Sequence, residues 1–322
     1  MMTTLSRWRG ALLGLAVGDA LGMPLEFQAP GSFTPLTGMV GGGPHNLQPG
    51  QWTDDTSMAI CLAESLVERR GFDPQDQMER YVRWQQEGYR SSTGVCFDIG
   101  NTVKTALDAY ARSGDPYSGP THARSAGNGS LMRLAPVPMF FASNPQAAID
   151  HAALSSRTTH GATEAVDACR YFAGLIIAAL QGHSKQRLLS KGFSLLGHGW
   201  GAAPLAPRIA AIAAGSFREK QPPAIRGTGY VVESLEAALW AFASSDTFEE
   251  GALLAVNLGD DADTTGAVFG QLAGAYYGEA GIPKGWREQL AARDHLVGLA
   301  ERLYAFAHDS ETPQVDARAD TS

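Results

Sequence analysis

Several things are scarce in this chain of 322 residues. It has three cysteines, Cys61, Cys96 and Cys169, widely spaced and odd in number. That pattern gives neither a disulfide framework nor a CxxC zinc site and fits a reducing, cytoplasmic setting. Lys and Arg nowhere cluster, and the net charge is −8, so no basic surface for nucleic acid or anionic membrane is expected. No apolar run is long enough to span a bilayer. In RWRGALLGLAVGDALGMP two arginines precede a short apolar stretch, but Asp19 interrupts it and no cleavage box follows. It does not read as a secretory signal. Period-two alternation is nearly absent too, which leaves little basis for a sheet.

What is present is helical periodicity. Apolar stripes predict helices over about 6–22, 56–70, 75–86, 99–112, 161–181, 204–215, 231–243, 248–257, 264–278 and 293–308. Gly10, Gly14, Gly18 and Gly22 stand four apart in the first, and Gly266, Gly270 and Gly274 in a late one. Such spacing puts small residues on one face and lets two helix backbones approach closely. Loops rich in Gly and Pro fall at 29–51, 114–129 and 217–229, and none resembles an interdomain linker. The expected fold is all-α, one compact multi-helix domain over 5–308. The polar stretch DSETPQVDARADTS at 309–322 reads as a disordered tail.

Chemistry gathers at two acidic clusters. Residues 257–270 read NLGDDADTTGAVFG, with three aspartates just ahead of an apolar helix. Asp263 and Thr264 suit a helix cap, but a cap does not account for Asp260 and Asp261. An EF-hand would place Asp261, Asp263 and Thr265 at ligand positions, yet its twelfth position is Leu272, where calcium needs a bidentate Glu. Residues 52–56, WTDDT, repeat the pattern ahead of another apolar helix. Two such clusters suggest a cation site shared between helices. Four carboxylates (Asp54, Asp55, Asp261, Asp263) would neutralise two divalent ions, and all-oxygen ligands favour Mg²⁺ or Mn²⁺ over zinc. Asp54 and Asp55 are followed by Thr56, Ser57 and Met58, so the DDxxD of prenyl-chain enzymes is missing. The one adjacent His-Asp pair, His308-Asp309, falls at the presumed tail.

In order along the chain, GDALGMPLEF, WTDDT, CFDIGNT, GNGSLMR, GYVVESLEAALWAF and GDDADTTGA resemble the motifs of the ADP-ribosylglycohydrolases. The likeness is greatest to the bacterial dinitrogenase-reductase-activating glycohydrolase branch and runs from about residue 7 to 278. It implies an all-α domain, a pair of Mg²⁺ or Mn²⁺ ions, and hydrolytic removal of ADP-ribose from a modified protein side chain. Carried over by position, the metal ligands fall on Thr53, Asp54, Asp55, Asp261, Asp263 and Thr264, with Asp260 a neighbour. Glu26 matches a mobile acid near the metals and ribose, and Asp98 a carboxylate at the reacting ribose. Gly100 of the same motif goes with the substrate. Asn128, Gly129, Ser130 and Met132 resemble the loop that holds the diphosphate and adjoining ribose. Tyr230 resembles an aromatic at the adenosine end, and His160 occupies a motif position near the site.

Local readings compete with some of these. Asp98 could cap a helix beginning near Ile99, GNG could be a tight turn, and Tyr230 could be core. The resemblance implies an ADP-ribosylated protein as substrate, arginine-linked in the branch it most resembles, and ADP-ribose as product. A binding member that does not cleave, or a hydrolase of another ADP-ribose linkage, stays open at this level. Cleavage of an N-glycosidic bond passes through an oxocarbenium-like state and needs an acid or base free of metal, for which Asp98 and Glu26 are the candidates.

Overall fold

A computed structural model of the chain describes residues 3–197, 199–201 and 203–308. The expected tail at 309–322 lies outside the described residues. The helices are α1 (Thr4–Gly22), α2 (Asp54–Arg69), α3 (Pro74–Glu87), α4 (Asn101–Ser113), α5 (Pro136–Phe140), α6 (Pro145–Thr159) and α7 (Thr163–Leu180). They continue as α8 (Lys185–Leu188), α9 (Pro207–Ala213), α10 (Val231–Ala243), α11 (Phe248–Val256), α12 (Ala262–Tyr277), α13 (Lys284–Gln289) and α14 (Arg293–His308). The fold is all-α. Among the described residues there is no strand, only the isolated bridges Gly42–Leu47 and Gly127–Tyr230.

The molecule is organised around α1. Every residue from Gly10 to Gly22 is buried, Asp19 included, as expected of a helix apolar on all sides. Against it lies α12, antiparallel, and the predicted glycine faces meet. A Cβ on Gly10 would stand 2.2 Å from Gly274 O, on Gly14 2.3 Å from Gly270 O, and on Gly18 2.0 Å from Gly266 O. At Gly22 it would stand 2.3 Å from Ala262 O. No side chain fits at these points, so the backbones touch. The contact ends where Gly22 meets Ala262, the first residue of α12, and this puts the second acidic cluster beside α1.

The apolar core around this pair draws residues from Trp8 to Ala307. A smaller cluster of Met58, Tyr81, Trp84, Val103, Leu107 and Met132 packs α3 and α4 onto α2. It seats α4 beside the loop that carries Asn128. No helix among the described residues is long and apolar enough to cross a membrane.

The predicted helices are present, with ends shifted by a few residues. One long helix, α6, was not foreseen, because its second half, ALSSRTT, is poor in large apolar residues. Its start signal was nonetheless visible: Asn144 accepts from Ala147 N at 3.2 Å, with proline next in sequence, a standard N-terminal arrangement.

Candidate metal centre and substrate cleft

Asp19, deep in α1, organises the first cluster. Its Oδ1 accepts from Thr53 N at 2.9 Å and Thr53 Oγ1 at 3.0 Å. Its Oδ2 accepts from Thr56 N at 3.0 Å and Thr56 Oγ1 at 2.6 Å. The carboxylate thus caps α2 from another helix, while Thr53, the N-cap residue, makes no side-chain cap bond. Burial pushes Asp19 up to about 6 in spite of these four bonds.

With Thr53 fixed, the clusters join. Thr53 Oγ1 also stands within hydrogen-bond distance of Asp263 Oδ2, at 3.3 Å, and Thr264 Oγ1 donates to Asp55 Oδ1 at 3.2 Å. Asp261 is the N-cap residue of α12, but its side chain makes no cap bond; its Oδ2 accepts from Asn128 Nδ2 at 2.8 Å. Asp54 and Asp261 line the cleft, while Asp55 is buried beneath it. Burial, and after it the charge of neighbouring carboxyls, holds Asp54, Asp55 and Asp263 well above the ordinary carboxylate range.

So dense a set of buried acids suits a cation. Asp55 Oδ2 is buried with no hydrogen-bond partner, and the donors are all oxygen, the set that hard divalent ions take. Asp54, Asp55, Asp261 and Asp263 do not form one knot of donors within 4.8 Å, whereas Glu26, His45 and Asp98 do. That trio is itself a group able to hold a metal ion.

Glu26 follows a short 3₁₀ turn at the end of α1 and is 4% exposed. Its chain neighbours are tied to the second cluster, Phe27 N donating to Asp260 O at 2.7 Å and Asp260 N to Gln28 O at 2.8 Å. Burial, then the charges of Asp98 and Asp261, pushes Glu26 up to about 9. Asp98 has φ +59°, a left-handed conformation that Asp tolerates better than most residues. The N-cap of α4 is Gly100, so Asp98 does not cap that helix. Its carboxyl is raised by burial, and the nearby His45 opposes the shift. Asp260 lines the same cleft, with Oδ2 3.4 Å from Arg226 Nη2.

Opposite the carboxylates runs the Gly127–Asn128–Gly129 loop. Asn128 N donates to Gly229 O at 3.1 Å, while the amides of Gly129 and Ser130 meet no acceptor among the described residues. The buried His160 imidazole packs under the loop, 2.8 Å from where a Gly129 Cβ would lie. Burial and then Arg133 push it down to about 3, so it is neutral. Arg133, fully buried, donates to Gly129 O at 2.7 Å and Thr159 Oγ1 at 2.7 Å and so turns the Gly129 carbonyl inward.

The cleft between these walls has a volume of about 820 Å³, within the range of small-molecule sites. Glu26, Asp54, Asp98, Gly100, Asn128, Gly129, Met132, His160, Asp261, Asp263 and Thr264 all line it. Thr53 and Asp55 lie behind these. Ser130 turns its hydroxyl away to Ser156 Oγ at 2.8 Å. Tyr230 stands one residue beyond the lining Gly229, its hydroxyl donating to Glu164 Oε2 and accepting from Arg208 Nη1 at 2.9 Å.

Sequence reasoning missed Asp19, His45 and Arg133. Asp19 had a signal, the one charge in the otherwise apolar stretch 10–22 of α1. Arg133 had one in its place at the end of GNGSLMR. His45, in a glycine-rich loop, had none.

The ADP-ribosylglycohydrolase family model matches residues 1–313. The chain is 41% identical over 308 residues to ADP-ribosylarginine hydrolase Tri1 of Serratia proteamaculans (strain 568), covering 96% of this chain and 81% of that protein. It is 32% identical to the ADP-ribosyl-[dinitrogen reductase] glycohydrolase of Rhodospirillum rubrum, covering 87% and 89% of the two chains. A solved structure titled ADP-ribosylglycohydrolase-related protein complex superimposes with a TM-score of 0.83 at 46% identity, covering 95% of this chain and all of that one.

Proposed function

Because the chain belongs to the ADP-ribosylglycohydrolase family, we propose that it hydrolyses the bond between ADP-ribose and arginine side chains of modified proteins. It is a glycosidase-type hydrolase. The arginine linkage is supported by the two Tri1 relatives, of Serratia proteamaculans and Pseudomonas putida, both named ADP-ribosylarginine hydrolases. The observation that carries the reading is the pair of threonine bridges, Thr53 to Asp263 and Thr264 to Asp55. They unite two acidic clusters at the floor of one cleft.

Thr53, Asp54, Asp55, Asp261, Asp263 and Thr264 would hold two divalent cations, Mg²⁺ or Mn²⁺. Such ions supply charge stabilisation at the ribose hydroxyls and lower the pKa of a bound water. The remaining steps fall to the chain's own groups. Glu26, whose carboxyl burial and neighbouring charge push up to about 9, is suited to give the departing guanidine its proton. Asp98, beside it, is suited to accept the proton of the attacking water. The free amides of Gly129 and Ser130 form a cradle for the diphosphate, with no basic patch, which reconciles an acidic protein with an anionic substrate. Met132 and the neutral His160 shape that cradle, and Gly100 leaves room at the ribose. Tyr230 closes the adenosine end as a rim aromatic held by Glu164 and Arg208.

The product is ADP-ribose, and residues 5–308 are the active unit, with the tail dispensable. Three free cysteines support a reducing, cytoplasmic setting. The test is release of ADP-ribose from an arginine-modified protein with Mg²⁺ or Mn²⁺ supplied. No release from arginine, serine or other linkages overturns the reading.

A further inference from the structure

His45 joins the two acids assigned above. It lies in a loop closed by paired backbone bonds, Gly42 N to Leu47 O at 2.8 Å and Leu47 N to Gly42 O at 3.0 Å. Next to it Asn46 adopts φ +51°. The imidazole packs on Phe97, with ring centroids 5.0 Å apart. Its Nε2 stands 3.4 Å from Glu26 Oε2 and 3.3 Å from Asp98 Oδ1. Three separate segments, the end of α1, the loop at 42–47 and the approach to α4, therefore meet at one nitrogen.

This arrangement has a physical purpose. Two buried carboxyls that must act in concert need their side chains held in register, and Asp98 is held in a left-handed conformation that needs outside support. The ring nitrogen stands at contact distance from both oxygens, with hydrogen-bond geometry to neither, and its place between them sets the spacing of the two side chains. Phe97, adjacent to Asp98, fixes the imidazole in turn. His45 reaches the reacting atoms only through these two residues.

We propose that His45 is a positioning residue for the hydrolysis, its Nε2 holding Glu26 and Asp98 together at the ribose end of the cleft. The proposal rests on the assignment of those two carboxyls as acid and base. The experiment compares His45→Leu and His45→Gln with the unaltered chain in kcat, KM, divalent-ion affinity by calorimetry and melting temperature. Glutamine keeps a polar N–H₂ at about the reach of the ring nitrogen; leucine keeps only bulk.

The expected result for His45→Leu is a kcat lower by about 10²-fold, the lower end of what a lost acid–base group costs. KM and ion affinity should stay within about threefold, because neither the diphosphate cradle nor the six oxygen ligands involve His45. His45→Gln should recover at least about tenfold of the loss, which a mere packing role would not produce. If His45→Leu does not fold, His45→Asn, whose shorter amide cannot span both oxygens, takes its place. Unchanged kcat in a folded Leu or Asn variant, or a Gln variant no better than Leu, overturns the proposal. Glu26→Gln and Asp98→Asn are run alongside: if both keep turnover, the acid–base assignment fails first and the proposal with it.

Discussion

Thr264 Oγ1 donates to Asp55 Oδ1 at 3.2 Å, joining residues 209 apart in sequence. Both sit in the first turn of a helix, and the helices are held in place by α1, through Asp19 on one side and a glycine face on the other. Five buried or half-buried acids are thereby gathered where a single acceptor would suffice to cap each helix.

That crowding predicts a stability cost. Asp55 Oδ2 is buried without a partner, and burial with neighbouring carboxyls holds the group well above its ordinary range. Asp55→Asn is expected to raise the melting temperature in chelator by a few degrees, on the order of 1 kcal/mol. It should also abolish the stabilisation that Mg²⁺ gives the unaltered chain, about 2.7 kcal/mol at a hundredfold excess over Kd. A lower melting temperature in chelator would contradict this account of the cluster.

The α1–α12 contact predicts intolerance of a single methyl group. Gly18→Ala is expected to cost roughly 3 kcal/mol or more, the upper end of overpacking costs, since its Cβ would lie 2.0 Å from Gly266 O. Gly298, in α14, has nothing within 4 Å of the same position, so Gly298→Ala should stabilise by about 0.5–1 kcal/mol. Urea denaturation of both variants measures the difference.

Acid stability should depend on Glu64. It is 2% exposed and meets Arg90 Nη2 at 2.6 Å, Arg80 Nη1 at 3.3 Å, His295 Nε2 at 3.1 Å and Tyr89 OH at 2.7 Å. Burial alone would raise its pKa, but bonds from His295, Tyr89 and Arg90 outweigh that and bring it to about 2 from 4.5. A depressed folded-state pKa stabilises above the unfolded value and loses that contribution as pH falls. The loss should therefore run from about pH 4.5 down to 2 and amount to at most roughly 3 kcal/mol. Glu64→Gln should flatten the stability–pH curve across that window; an unchanged slope would contradict the assignment.

Adjacent aspartates should behave differently. Asp261 accepts from Asn128, whereas Asp260 pairs with the more exposed Arg226. Asp261→Ala is expected to remove divalent-ion binding and turnover, and Asp260→Ala to keep most of both. Calorimetric titration with Mn²⁺ reads the contrast directly, and equal losses would undo the ligand choice.

Much of this was legible in the sequence, for identifiable reasons. The glycines four apart announced a close helix contact because no other residue tolerates it. The paired Asp-Thr clusters stood out because like charges next to an apolar helix need a cause. Helix α6 was missed because its core contact is made by alanines and serines rather than by a visible apolar stripe. Asp19 and His45 were missed as site residues because their partners, Thr53 and Thr56 in one case, Glu26 and Asp98 in the other, are adjacent only after folding. The cap reading of the second cluster was only partly right. Asp263 Oδ1 does accept from Thr264 N at 2.8 Å, but Asp261, the N-cap residue, gives its carboxylate to Asn128 instead.

The most direct test of the whole account is a metal titration of ADP-ribose release from arginine-modified protein, with the unaltered chain and Asp261→Ala side by side. The account predicts release that rises with Mg²⁺ or Mn²⁺, stops in chelator, and is lost in the variant at every metal concentration. Release that persists in chelator, or that Asp261→Ala retains, would contradict it.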